Sequence, residues 1–430
     1  TEIAGVAAAA NSGALSWRVV NLASLKHPMS IDLWIDKTAR HAKLVAFRGL
    51  GGISYFPYLI EALLGAAQAH GFQLAVLPGC ERPDPALEPW STVAAEDRAA
   101  LWSYLVEGGS GNLGRFARYA EALVSGAEKP EPAGALAKAG IWWPGRGVVS
   151  EDEWLSLDAP PSVPLGHLPH KGGELAPAET VSPQVDMGIE DAGVAAGSLS
   201  PLVEEMSAQP TEGGGGAPLA VITFYRALVQ SGQTEPVEAL IGALARRGLR
   251  VLPLFVSSLK EPVSAALIRD LFAAHGPDVV LNSTSFAVVS PGADKTGTVL
   301  DETGAQVFQV IFSASTLEAW QASSLGLSAR DLGMNVSLPE VDGRVLTRAV
   351  SFKRAARFDD RAEVNIVAPV PEPDRIDFVA ELAARWAQLR HRENRDKRVA
   401  LIMANYPNRD GRLGNGVGLD TPAASLEVLK

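Results

Sequence analysis

The sequence predicts an α/β protein: two successive open, mostly parallel doubly wound units, with the start of a third. Three observations carry this. Apolar runs of strand length alternate with amphipathic stretches at helical spacing. Several of these stretches open on a proline and close on a glycine just before the next apolar run. The alternation lapses between about residues 151 and 216 and then resumes. The expected organisation is an N-terminal α/β domain over 1–150, a flexible linker or insertion over 151–216, a second α/β domain over 217–396, and the start of a third, truncated domain over 397–430.

In the first unit, 17–22 and 43–47 read as strands, with a helix over 29–40 between them and Ser30 as its cap. The glycine-rich turn Arg48-Gly-Leu-Gly-Gly52 follows. Pro57 opens a helix with Leu59, Ile60, Leu63, Leu64 and Ala67 on one face. Gly71 ends it, and 72–77 is the next strand, so a right-handed crossover and parallel pairing are expected. Helices over 94–107 and 113–125 are joined by Gly108-Gly-Ser-Gly-Asn112.

Between 151 and 216, Pro, Gly, Ser, Ala and acidic residues dominate, and the stretch ends in four glycines. The second unit begins with a strand at 219–224. A helix from Pro236 carries Val237, Leu240, Ile241 and Leu244 on one face; Gly248 closes it before a strand at 249–256. A helix over 262–275, Gly276 and a strand at 278–281 repeat the rhythm, and 307–312 is one more core strand. A helix over 374–391 leads through the charged stretch 393–398 into Val399-Ala-Leu-Ile-Met-Ala404, a buried strand by its composition.

At 430 residues the chain has ample material for two to three cores. A formal charge of −11 argues against a nucleic-acid or anionic-membrane partner. No apolar run approaches the length that spans a bilayer. The N-terminus lacks a basic segment followed by an apolar one, so no signal peptide is expected; a start at Thr1 suggests processing or trimming. The single cysteine, Cys80, rules out an intrachain disulfide framework and points to a reducing, cytoplasmic setting. Beside the turn Pro78-Gly79 it reads as a small buried apolar residue.

No Walker A pattern is present, so ATP hydrolysis by this chain is not expected. The dinucleotide fingerprint, the nucleophile elbow and H-E-x-x-H are absent as well. His167 and His170 form the one close histidine pair, in the linker, where a metal site and a solvated loop are both open readings. Glu340 and Asp342 stand at an i, i+2 spacing; in extended backbone both would face one side as cation-binding or acid/base groups. The plainer reading is a turn in which Asp342-Gly343 supplies left-handed geometry and Glu340 is solvated.

Tyr225 and Arg226 lie at the carboxyl end of a predicted strand, where open α/β sheets bind ligands. A phenol and a guanidinium there suit a carboxylated ligand, although a surface ion pair for Arg226 stands beside that reading. His27, followed by Pro28, is near another strand end, as a ligand or a turn. After the run 399–404, Pro407 stops the strand. Gly411, Gly414, Gly416 and Gly418 follow, and Thr421-Pro422 starts a helix. Strand, glycine-rich turn and helix start present backbone N–H groups to an anion. Arg409 and Arg412, with amides from Asn405, Asn408 and Asn415, favour a ligand bearing carboxylates and amides over a bare phosphate. Pairing of the arginines with Asp410 and Asp420 is the competing reading.

These motifs together resemble the CobN family, the large subunits of aerobic cobaltochelatase, related to the H subunits of magnesium chelatase. The resemblance runs through Arg48-Gly-Leu-Gly-Gly-Ile-Ser-Tyr55, residues 102–112, Phe224-Tyr-Arg-Ala-Leu-Val-Gln-Ser-Gly232, Val251-Leu-Pro-Leu-Phe-Val-Ser-Ser-Leu259, Val299-Leu-Asp-Glu-Thr-Gly304, Leu338-Pro-Glu-Val-Asp-Gly343 and residues 405–422. It implies insertion of Co²⁺ into hydrogenobyrinic acid a,c-diamide in cobalamin biosynthesis. ATP–Mg²⁺ would then be used by partner subunits, an AAA+ ATPase and its companion. It also implies that family members are longer, that this chain is an N-terminal portion inactive alone, and that the insertion centre lies mainly beyond it. Under that resemblance Tyr225, Arg226, Asn405, Arg409, Arg412 and Asn415 would hold the macrocycle's side chains, and Glu340 or Asp342 would deliver metal or take a proton. The metal ligands stay unassigned. The alternatives are a magnesium chelatase component acting on protoporphyrin IX, a non-catalytic corrinoid or cobalt carrier module, and a solute-binding protein of the periplasmic type.

Overall fold

The computed structural model describes residues 2–11, 13, 15–157, 216–290, 297–403, 414, 418 and 420–429. Near the N-terminus, β1 (Leu44–Gly49) and β2 (Gln73–Pro78) pair in parallel, joined by the helix Pro57–His70. That helix buries Leu59, Ile60, Leu63 and Ala67 with Phe47, Leu74 and Val76, the face its 3.6 period predicts. Helices Ala95–Glu107 and Gly109–Ser125 supply a second apolar layer, in which Leu101, Tyr104 and Phe116 meet Ala75 and Leu77 of β2. One residue, Gly108, breaks the two helices apart, rather than the whole glycine-rich stretch 108–112.

Three expectations for this region are corrected. Residues 17–22 are not a strand. They lie as a strap in which Val19 N–H donates to the carbonyl of Ala362 (3.0 Å) and Trp17 packs on Phe116 (ring centroids 6.0 Å apart). An alternating pattern therefore arises here from lying across a surface, not from a ladder. The next helix spans Pro28–Lys37, and its cap is His27, whose Nδ1 accepts from Met29 N–H, not Ser30. The sheet around β1 has two strands among the described residues, fewer than a doubly wound unit needs.

The large sheet has eight strands among the described residues. They are β3 (Ala139–Trp143), β4 (Gly147–Val149), β5 (Leu219–Tyr225), β6 (Arg250–Val256), β7 (Val279–Asn282), β8 (Gln306–Thr316), β9 (Val345–Asp359) and β10 (Val364–Pro371). Their order is β10-β9-β8-β7-β5-β6-β3-β4. The five central strands are parallel; β10 and the β3–β4 hairpin are antiparallel flanks. The sheet is thus mixed. β5 is its core: residues 219–224 are buried without a break, as expected for a parallel strand covered on both faces. Helices Glu235–Ala245 and Pro373–His391 pack on each other over the sheet, while Pro262–His275 lies against β3.

Residues 151–155, expected in the linker, form the helix Glu151–Leu155. A capping box between Ser150 and Glu153 starts it. Trp154 anchors it, donating its indole N–H to the carbonyl of Val251 (2.9 Å). The strand expected from Val399 is also corrected. Residues 399–403 are irregular, and Val399 and Ile402 are 71% and 93% exposed, because no strand among the described residues lies beside them. No described helix is long and apolar enough to cross a membrane.

Candidate functional site

Across the parallel centre of the sheet, register places Thr223 of β5 beside Asn282 of β7, and Asn282 beside Gln309 of β8. All three are buried polar residues in an otherwise apolar core. They satisfy one another. Thr223 Oγ1 donates to Asn282 Oδ1 (2.7 Å), and Asn282 Nδ2 donates to Gln309 Oε1 (2.7 Å). Gln309 Nε2 donates to the carbonyl of Thr284 (3.0 Å). This row marks the level at which β5 and β7 end, the edge where open parallel sheets bind ligands.

The chain leaving β7 at that edge is gripped along its backbone. Tyr225, at the end of β5, donates its hydroxyl to the carbonyl of Ser285 (2.8 Å). Burial pushes the Tyr225 phenol up from its ordinary value, so it stays a donor. Ser285 Oγ donates to Asn335 Oδ1 (2.6 Å), and Phe286 N–H donates to the carbonyl of Met334 (3.3 Å). Met334 and Asn335 belong to the π-helical turn Gly333–Ser337, a form that recurs at functional sites. Between these ties Phe286 has φ +70° and is 54% exposed. A non-glycine residue in this left-handed region costs about 1–3 kcal/mol.

Asp342 closes the loop. Its carboxylate accepts from Val288 N–H (2.9 Å) and Val289 N–H (2.9 Å), and from Arg344 Nη2 (2.7 Å). The pair is sealed, with side-chain exposures of 0% for Asp342 and 2% for Arg344. Burial pulls the Arg344 guanidinium down from its ordinary value, and the Asp342 charge opposes this. Arg344 also lies 3.5 Å from Gln309 Oε1 and from the carbonyl of Thr284. Its Nε is buried with no partner among the described residues.

Sequence reasoning left two readings for Glu340 and Asp342, both on one face of extended backbone or, more plainly, a turn with Glu340 solvated. The structure separates them. Glu340 is exposed on the short helix Leu338–Val341, and Asp342 caps that helix and turns inward. Gly343 takes φ +77°, the left-handed turn expected of it. Tyr225 and Asp342 hold the same loop at different points, Ser285 and Val288–Val289.

Arg226 faces elsewhere, towards the N-terminal unit. Its guanidinium donates to Glu81 Oε1 (3.1 Å), Glu107 Oε2 (3.0 Å) and the carbonyls of Ala137 (3.0 Å) and Leu136 (2.9 Å). With 6% of its side chain exposed, it joins the two sheets. Asn405, Arg409, Arg412 and Asn415, and the pair His167 and His170, lie outside the described residues. Among the described residues no three His, Cys, Asp or Glu side chains converge as a metal site would require.

Sequence reasoning missed Arg344, Phe286, Asn335 and a second buried carboxylate, Asp331. Asp331 accepts from Ser313 Oγ (2.8 Å), Ala314 N–H (3.1 Å), Ser315 Oγ (3.2 Å), Ser328 Oγ (3.2 Å) and Asn335 Nδ2 (3.1 Å). It fixes the π-helical turn from behind. A charge two residues after an Asp, just before a strand, was the available signal for Arg344.

The family model described as CobN/Magnesium Chelatase matches residues 102–430. The chain belongs to this family. It is 53% identical, over its whole length, to the aerobic cobaltochelatase subunit CobN of a Sinorhizobium species, and spans 30% of that protein. The magnesium-chelatase H subunit of Chlorobaculum parvum is 28% identical over 49% of the chain. A solved structure, the catalytic subunit of cobaltochelatase from Mycobacterium tuberculosis, superposes with a TM-score of 0.62 at 25% identity. It covers 99% of this chain, which in turn covers 30% of it. The chain thus spans about a third of the length of the CobN relative and of the cobaltochelatase structure that it matches.

Proposed function

We propose that this chain is part of the large subunit of an aerobic cobaltochelatase, inserting Co²⁺ into hydrogenobyrinic acid a,c-diamide in cobalamin biosynthesis. ATP–Mg²⁺ is used on partner subunits, one an AAA+ ATPase with its companion. The observation that supports this over magnesium chelatase is the contrast in similarity: 53% identity over the whole chain to a CobN protein against 28% over half of it to a magnesium-chelatase protein.

Metal insertion needs a held macrocycle, a desolvated cation and an acceptor for pyrrole protons. The loop 284–289 at the carboxyl edge of β7 is one wall of the macrocycle site, with Tyr225 and Asp342 supporting it. Arg409, Arg412, Asn405 and Asn415 grip side-chain carboxylates and amides of the ligand. Asp342 is committed to Arg344 and two amides, which leaves Glu340, exposed at the same turn, as the carboxylate that would meet a cation in this reading. The domain limits in this reading lie near 216 and 396, and the N-terminal unit ends before β3, which pairs with β6 of the large sheet.

Quenching of tryptophan fluorescence in the full-length protein tests the reading. Hydrogenobyrinic acid a,c-diamide is expected to bind and protoporphyrin IX to bind more weakly. Binding of the porphyrin alone would move the assignment to magnesium chelatase.

A further inference from the structure

Resting on the macrocycle-binding reading, we propose that Phe286 is the platform on which one face of the macrocycle's conjugated ring lies. Phe286 is 54% exposed at the carboxyl edge of the parallel sheet, so it contributes little to the core. Its backbone is held where glycine would sit without strain, at φ +70°. Neither property helps the fold, and a glycine would remove both.

Every tie to this segment grips it beside the ring rather than on it. Tyr225 holds the Ser285 carbonyl, Asn335 holds the Ser285 hydroxyl, and the Met334 carbonyl takes the Phe286 N–H. Asp342 takes the amides of Val288 and Val289. The backbone is fixed on both sides and Phe286 is left exposed between the ties. A preorganised aromatic of this kind suits a flat conjugated ligand, which gains from offset stacking and from covering the exposed ring.

The test uses the full-length protein with hydrogenobyrinic acid a,c-diamide as the probe. Phe286→Gly is expected to weaken binding about tenfold, equivalent to 1.4 kcal/mol, while the thermal midpoint stays level or rises as strain is released. Phe286→Trp is expected to keep the affinity and to report the ligand by quenching of its own indole. If the parent protein binds and Phe286→Gly binds equally well, or the new indole is not quenched, the platform is overturned. If the parent protein does not bind the macrocycle at all, the macrocycle-binding reading fails first and the platform falls with it.

Discussion

Replacing Asp342 by Asn removes the carboxylate that pairs with Arg344 at 2.7 Å, in a site where both side chains are sealed from water and Asp301 adds a weaker attraction. The amide oxygen of Asn can still accept from Val288 and Val289. Its NH₂ group must then face Arg344 Nη2, donor against donor. Removing one partner of a buried ion pair costs about 3–5 kcal/mol, because the remaining charge is left uncompensated. Local opening of the loop should rise by about a hundredfold or more, since 1.4 kcal/mol is tenfold. Amide hydrogen exchange at Val288 and Val289 reads this directly. Adding Arg344→Gln should restore most of the protection, because a Gln oxygen accepts from the Asn amide and a neutral pair replaces the ionic one. The double variant should then sit about 1 kcal/mol below the parent, about 2–4 kcal/mol above Asp342→Asn alone; the coupling is that gain plus the cost of Arg344→Gln alone. A single Asp342→Asn change that alters exchange less than about threefold, or a double variant no better than the single, would refute the idea that this pair holds the loop.

Arg226→Met should destabilise the contact between the two sheets by about 2–4 kcal/mol, discounted because Glu81 and Glu107 can return to water. Two urea transitions in place of one would show it; a shift under about 0.5 kcal/mol would show the clamp is idle. Gly108→Ala should cost about 2 kcal/mol or more, because φ +62° with ψ −162° suits glycine alone. The added Cβ would also sit 2.7 Å from Cβ of Gln230. A thermal midpoint within a degree or so of the parent would contradict that. Tyr119 donates to Asp97 Oδ1 (2.7 Å), and burial, with that carboxylate, pushes its phenol up to about 12 from an ordinary 10. The unfolded phenol ionises first, so this contribution is whole below pH 10 and is lost as pH rises towards 12. Urea midpoints across that window should fall less steeply in Tyr119→Phe; an identical slope would sink the assignment.

The parallel centre was legible because its strands are largely apolar runs that follow a glycine, as at 219–224 after Gly216 and 251–256 after Gly248. The outer strands were not. β9 carries Arg348, Lys353 and Arg354 among its apolar residues, which blurs both periods. β3 and β4 are short and hide in Ala139-Gly-Ile-Trp-Trp-Pro-Gly-Arg-Gly-Val-Val149, where the Pro-Gly pair was a hairpin signal. The strap at 17–22 and the run at 399–403 show the reverse error. Apolar composition proposes a strand, but only a neighbouring strand makes one.

Tyr225 was singled out by the rule that ligands gather at carboxyl ends of parallel strands, and there it ties down the chain at Ser285. Arg226, its neighbour, turns into the joint between sheets, because the first residue of the next helix points away from the strand end. Asp342 was singled out for chemistry and serves as an anchor. Burial and the cation beside it decide that role, and neither is visible in residue spacing. Phe286 leaves no mark in the sequence, since nothing local distinguishes a phenylalanine in left-handed backbone from one in a core.

The most direct test of the account is metal insertion by the full-length protein, supplied with its AAA+ partner and companion subunit, ATP–Mg²⁺, Co²⁺ and hydrogenobyrinic acid a,c-diamide, followed by the absorbance change of the corrin ring. The account predicts ATP-dependent appearance of the cobalt corrinoid and no insertion of Mg²⁺ into protoporphyrin IX. Magnesium insertion into the porphyrin, with the corrin left metal-free, would contradict it.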